Sequence, residues 1–184
     1  MRSGMTRGIE RGLLVALLVH SPSLLFVVSN QRTKGVLVMS TVQVLLARGQ
    51  GEVYSTSPTA TVFDAIGKME RLNVGALVVI DHTQRLCGIL TERDYLRKVA
   101  LEGRASRTTF VQEIMTRDLL CVEPQTGLEE CMKIMTEHRV RHLPVLRDSK
   151  LIGIVSIGDI VSLLAQERQR TIQELTEYIQ GRYA

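Results

Sequence analysis

Two phrases in this chain set a hydroxyl three residues ahead of a carboxylate: Thr91 with Asp94, and Ser156 with Asp159. At that spacing the pair makes a capping box, the hydroxyl accepting from an orphan backbone N–H and the carboxylate turning back to the cap. Negative charge is also favoured at a helix N-terminus. A third group is cationic: Arg139, Arg141 and His142, near Glu137 and Asp148. Arg can clamp a phosphate bidentately, whereas His adds charge only near or below a pKa of about 6.5. The plainer role is a solvated basic strand end. Strand alternation puts Arg141 and Leu143 on one face and His142 on the other, so one of the basic pair should face any cleft.

These residues sit in a unit that occurs twice. Pro58 recurs as Pro124, Met69 as Met135, Val74 as Val140, Leu77 as Leu143, Gly88 as Gly153 and Asp94 as Asp159. A repeat this long is a duplicated supersecondary unit, and two such units bury their apolar faces on each other. Asn73, Gly75 and Ala76 stand where the second copy has Arg139, Arg141 and His142, so only one copy carries the cations.

Within each copy, Val62, Ala65, Ile66, Met69 and Leu72, and then Leu128, Cys131, Met132 and Met135, predict an amphipathic helix. Ala76 to Ile80 and Leu86 to Leu90 predict a hairpin, as do Leu143 to Leu146 and Leu151 to Val155. A short strand precedes each helix at Val53 to Ser55 and Leu120 to Val122. A second helix closes each unit, with Tyr95, Leu96, Val99 and Ala100 in one and Ile160, Val161, Leu163 and Leu164 in the other. About 50 residues of this kind are marginal alone, so the class is α+β with two copies paired sheet to sheet.

Gly88-Ile89-Leu90-Thr91-Glu92-Arg93-Asp94-Tyr95 and Gly153-Ile154-Val155-Ser156-Ile157-Gly158-Asp159-Ile160, with Asn73 to Val79, Arg139 to Val145 and Ile114-Met115-Thr116, resemble a tandem pair of CBS domains, the cystathionine beta-synthase type repeat. The resemblance covers roughly residues 41 to 167. It implies a module that binds adenosine-containing ligands (AMP, ADP, ATP or S-adenosylmethionine) in clefts between the repeats, requires no cofactor, senses a signal and regulates a partner protein. It also implies that Asp94 and Asp159 accept from ribose hydroxyls while Thr91 and Ser156 lie against the nucleotide. Each charged hydrogen bond of that kind contributes about 1.5 to 3 kcal/mol. The carboxylate repels phosphate, which is expected at Arg139, Arg141 and His142, leaving the other site weaker or selective for uncharged adenosine derivatives. The family pattern assigns the adenine to the surroundings of Tyr54, Leu120 and Cys121. Such modules commonly form homodimers. A constitutive interaction module with a vestigial site is the alternative, and no Ser-His-Asp order, metal cluster or Walker loop points to an enzyme.

The formal charge of +4 is local: residues 1 to 38 hold Arg2, Arg7, Arg11, Arg32 and Lys34 against Glu10, which accounts for all of it. No basic face for nucleic acid is advertised by the repeats. Cys87, Cys121 and Cys131 form neither a CxxC pair nor a zinc spacing, and read as core packing in a reducing compartment. The apolar run Leu13 to Val28, broken at His20, Ser21 and Pro22, is short for a membrane span. It fits a targeting peptide, or a segment upstream of a true start at Met39. The expected division is therefore a non-domain segment 1–38, repeats at 41–104 and 111–168, and a C-terminal helix 169–184, in a cytoplasmic protein or, if residues 1–38 are a targeting peptide, an exported or organellar one.

Overall fold

The computed structural model describes residues 40–49 and 51–181, and the backbone of Leu13–Leu17 and Leu25–Ser29. Arg2, Arg7, Glu10, Arg11, His20 to Pro22, Arg32, Lys34 and Met39 lie outside the described residues. In chain order the elements are β1 (Leu13–Leu17), β2 (Leu25–Ser29), α1 (Val42–Ala47), β3 (Ser55–Thr56), α2 (Val62–Leu72), β4 (Ala76–Ile80), β5 (Leu86–Thr91) and α3 (Glu92–Tyr95), which runs on into a π-helical turn over Leu96–Ala100. The second half adds α4 (Val111–Ile114), β6 (Leu119–Val122), α5 (Leu128–Glu137), β7 (His142–Arg147), β8 (Lys150–Ser156) and α6 (Ile157–Gly181).

The apolar stripe makes α2, and Thr61 starts it: its Oγ1 accepts from Asp64 N at 3.1 Å and donates to Asp64 Oδ2 at 2.6 Å. Asn73 ends it in the left-handed region, φ 53°, with Val74 N bonded to Met69 O at 3.0 Å. After α5 the same ending falls on Arg139, φ 54°, with Val140 N bonded to Met135 O at 3.0 Å. Each helix lies against a sheet in which a hairpin (β4/β5, β7/β8) is joined by a parallel strand (β3 beside β4, β6 beside β7).

Three apolar layers result. Met69, Leu77 and Leu90 centre the core of the first copy, and Met135, Leu143 and Val155 that of the second. Between the sheets, Ala76 and Ile89 meet Leu119, Cys121 and Leu146. This is the expected α+β pair, sheet against sheet. All three cysteines are buried, and desolvation pushes the Cys121 and Cys131 thiols up to about 12, so they behave as packing groups.

The copies also exchange their lead-in helices. Val42 and Leu45 of α1 are fully buried in the core of the second copy, and Val111 and Ile114 of α4 are buried in that of the first. Backbone bonds fix the exchange: Val42 N to Thr126 O at 3.0 Å, and Val111 N to Ala60 O at 2.9 Å. The chain after each helix then crosses the opposite hairpin at its glycine. A Cβ at Gly88 would lie 2.6 Å from Met115 Sδ and 3.0 Å from Thr116 O; one at Gly153 would lie 2.6 Å from Leu46 Cδ2.

Two expectations at the chain ends meet a different arrangement. Within 1–38, expected to stand apart, β2 pairs in parallel with β6 and β1 antiparallel with β2, widening the second sheet to five strands. Without β2 the outer edge of β6 would leave N–H and C=O groups unpaired, and a segment with the β-branched and aromatic residues of Leu25–Ser29 suits such an edge. At the other end the expected separate helix 169–184 is the continuation of α6, since no Pro interrupts the run from Ile157 to Gly181.

Candidate functional site

Both hydroxyl–carboxylate pairs form the capping box. Thr91 N and Oγ1 donate to Asp94 Oδ2 at 3.1 and 2.6 Å, and Asp94 N donates to Thr91 Oγ1 at 3.2 Å. Ser156 N and Oγ reach Asp159 Oδ2 at 3.0 and 2.6 Å, with Asp159 N to Ser156 Oγ at 3.1 Å. The box uses one carboxylate oxygen and leaves the other. At Asp94 that oxygen, Oδ1, accepts from Lys98 Nζ at 2.7 Å, and the same ammonium donates to Ile114 O at 2.6 Å. At Asp159 the second oxygen has no partner among the described residues.

Each pair opens onto a cavity completed by the other copy. The first, of about 490 Å³, sets Thr91 and Asp94 against Arg139, Arg141 and His142 of the second copy. The second, of about 400 Å³, sets Ser156 and Asp159 against Asn73, Val74, Gly75 and Ala76 of the first. The crossing follows from the sheet-to-sheet pairing, which lays the start of β7 beside the end of β5 and the start of β4 beside the end of β8. The basic corner belongs by sequence to the second copy but faces the carboxylate of the first.

The two cavities differ in charge. Arg93, Arg97, Lys98, Arg139 and Arg141 line the first, with Glu92 and Asp94 as its acids. The second holds Glu52 and Asp159, with no Arg or Lys on its wall. Tyr54 lines it as well, its hydroxyl donating to Glu52 Oε2 at 2.5 Å; that bond raises the Tyr54 pKa. His142 belongs to both walls, where burial holds its pKa below the usual 6.5, Asp159 draws it up and Arg141 pushes it down. It therefore enters at neutral pH as an uncharged ring rather than as a third cation. Alternation does not separate Arg141 from His142, because Arg141 lies ahead of β7, which joins the ladder only at His142, opposite Ser156.

Two expected site residues lie elsewhere. Cys121 is fully buried between the sheets, and Leu120 packs against the second core, and neither lines either of these two cavities. Sequence reasoning also passed over Arg93, Arg97 and Lys98, since charged residues at helical spacing read first as a solvated face. Their placement on either side of Asp94, on a helix that starts at the cavity, was the signal available. Glu52 carried none.

The CBS domain family matches residues 50–101 and 111–166, more than half of the chain. The CBS domain-containing protein CBSX3, mitochondrial, of Arabidopsis thaliana is 48% identical over 127 residues, which are 67% of this chain and 62% of that protein, just under two thirds of its length. Among solved structures, the CBS-domain containing protein ATU1752 from Agrobacterium tumefaciens matches at a TM-score of 0.65 and 35% identity, covering 67% of this chain and 98% of that one. A hexameric CBS-CP12 protein from bloom-forming cyanobacteria matches at 0.61 and 32%, over 69% and 72%. Domains of this family generally form regulatory modules that bind adenosyl ligands and oligomerise, and stand-alone members are generally regulatory. With the duplicated unit, its capping boxes and the crossed cavities in hand, the chain belongs to the CBS-domain family and carries a tandem pair of its repeats.

Proposed function

We propose that this chain is a non-catalytic sensor of adenine nucleotides, with AMP, ADP or ATP held in the first cavity by Asp94 at the ribose and by Arg139 and Arg141 at the phosphate. One observation carries the reading: a cavity of nucleotide size in which a capping-box carboxylate faces five cations contributed by both copies. The ribose hydroxyls share Asp94 Oδ1 with Lys98 or displace it toward the phosphate, where an ammonium is equally well placed. In the second cavity the open oxygen of Asp159 and the absence of Arg and Lys favour an uncharged adenosine derivative or the cationic S-adenosylmethionine, with Tyr54 near the base. The carboxylates and the shared His142 then report occupancy to a regulated protein through the paired sheets. A homodimer accords with the family's habit of oligomerising. Neither nucleic acid nor membrane is a partner in this reading; among the described residues no helix is long and apolar enough to cross a bilayer. The compartment is reducing, the cytoplasm or the organelle named for the Arabidopsis relative.

A constitutive interaction module is the second reading. It draws on Asp94, whose two oxygens are both occupied by protein donors. Thermal melting of the protein with AMP, ADP, ATP, adenosine and S-adenosylmethionine separates the two. A ligand at a hundred times its Kd stabilises by about 2.7 kcal/mol, a rise of about 5 °C or more for a chain of this size. No rise with any of the five at millimolar concentration removes the sensor reading.

A further inference from the structure

Gly75 and His142 are the residues common to both cavity walls. Gly75 has nothing to titrate, so the imidazole of His142 is the ionisable group the cavities share. It stands at the start of β7, opposite Ser156 in the β7/β8 register, half-buried and without a hydrogen bond to any described residue. On the first-cavity side it is flanked by Arg139, Arg141 and His138 from its own approach to β7. Across that cavity, α3 and its continuation present Glu92, Arg93, Asp94, Arg97 and Lys98. On the second-cavity side it faces Asp159 of α6 and Glu52 ahead of β3.

We propose that His142 couples the two cavities: a phosphorylated ligand seated in the first draws a proton from solvent onto the shared imidazole, and the imidazolium lets the second cavity accept a phosphate that Glu52 and Asp159 otherwise repel. The coupling rests on the reading of the first cavity as a phosphate site. Burial and Arg141 keep the ring neutral in the protein alone. A phosphate against Arg139 and Arg141 cancels that repulsion and adds negative charge of its own, and an opposite charge within about 4 to 6 Å moves a pKa by about 1 to 3 units. The proton goes to a ring nitrogen that has no donor on it from the protein, so no existing bond opposes it.

The test is calorimetric titration of the full chain with AMP at pH 7, in two buffers of different ionisation enthalpy. The AMP phosphate has a second pKa of about 6 and can only release a proton on entering a cationic cavity, so net uptake is read from the protein. Uptake is expected with AMP and not with adenosine. It is expected to vanish in His142→Asn and to persist in His138→Asn, and the second AMP is expected to bind about fivefold or more weakly in His142→Asn than in the parent. An NMR titration of the His142 ring in the unaltered protein needs no variant: its pKa rises by about one unit or more with AMP and stays put with adenosine. AMP binding without proton uptake, or with uptake that survives His142→Asn, overturns the coupling while leaving the phosphate site standing. No AMP binding at all removes the phosphate site and the coupling together.

Discussion

Arg139 occupies a backbone conformation that suits it poorly. Its φ of 54° is left-handed, where a side chain with a Cβ costs roughly 1 to 2 kcal/mol and only Gly, Asn and Asp are at ease. The first copy answers the same demand with Asn73 at φ 53°. The strain buys a guanidinium on the wall of the first cavity. Arg139→Asn is therefore expected to raise stability by up to about 1 kcal/mol in denaturant unfolding while weakening AMP, with a loss that shrinks as salt rises. A variant less stable than the parent, with AMP affinity intact, would put the arginine there for packing alone. His142 sets a pH dependence at the same scale. Its folded pKa is depressed below the unfolded value of about 6.5, so the unfolded chain binds more protons between the two values. Its contribution is complete above pH 6.5 and declines as pH falls toward the folded pKa. The melting temperature of His142→Gln is expected to fall less between pH 7 and pH 5 than that of the parent, and parallel profiles would contradict the burial argument.

The elements hold together by crossing, and the two glycines mark where. At Gly88 an added Cβ meets a backbone carbonyl, Thr116 O at 3.0 Å, inside a bridge closed by Ile89 N to Thr116 O at 3.0 Å and Thr116 N to Ile89 O at 2.9 Å. At Gly153 its nearest neighbour is the end of a flexible side chain, Leu46 Cδ2, and the backbone stays 3.4 Å away. Gly88→Ala is expected to cost about 1 to 3 kcal/mol in chemical unfolding and Gly153→Ala less, because only a side chain can swing clear. Equal costs would mean that the crossings are not the constraint. The repeat, the hairpins, α2 and α5 were legible because they carry periods of two and 3.6 over enough residues. The exchange of α1 and α4 was not: helices of six and four residues hold too little pattern to say which core they enter. Nor was the pairing of Arg141 with Asp94 rather than Asp159, since it depends on how one sheet lies on the other. Cys121 and Leu120 were assigned from the family pattern to the base, yet Cys121 is buried between the sheets and Leu120 packs, partly buried, against the second core.

As a whole, the molecule leaves one long element unfinished. From Arg168 onward α6 is exposed, and Ile172, Leu175 and Ile179 stand 58, 56 and 56% open along one stripe. A helix gains most of its stability by burying such a face. The parent is expected to scatter light as two chains at micromolar concentration, and Leu175→Glu as one; a parent mass of one chain would contradict the dimer. Adenosine and AMP differ only by the phosphate, and Arg141 lines the cavity of Asp94 and not that of Asp159. Calorimetric titration of both ligands against the parent and Arg141→Ala is the most direct measurement. The account expects adenosine to bind the two proteins alike and AMP to bind the variant about tenfold or more weakly at low salt, the loss of one charged hydrogen bond. Equal losses for adenosine and AMP would contradict it.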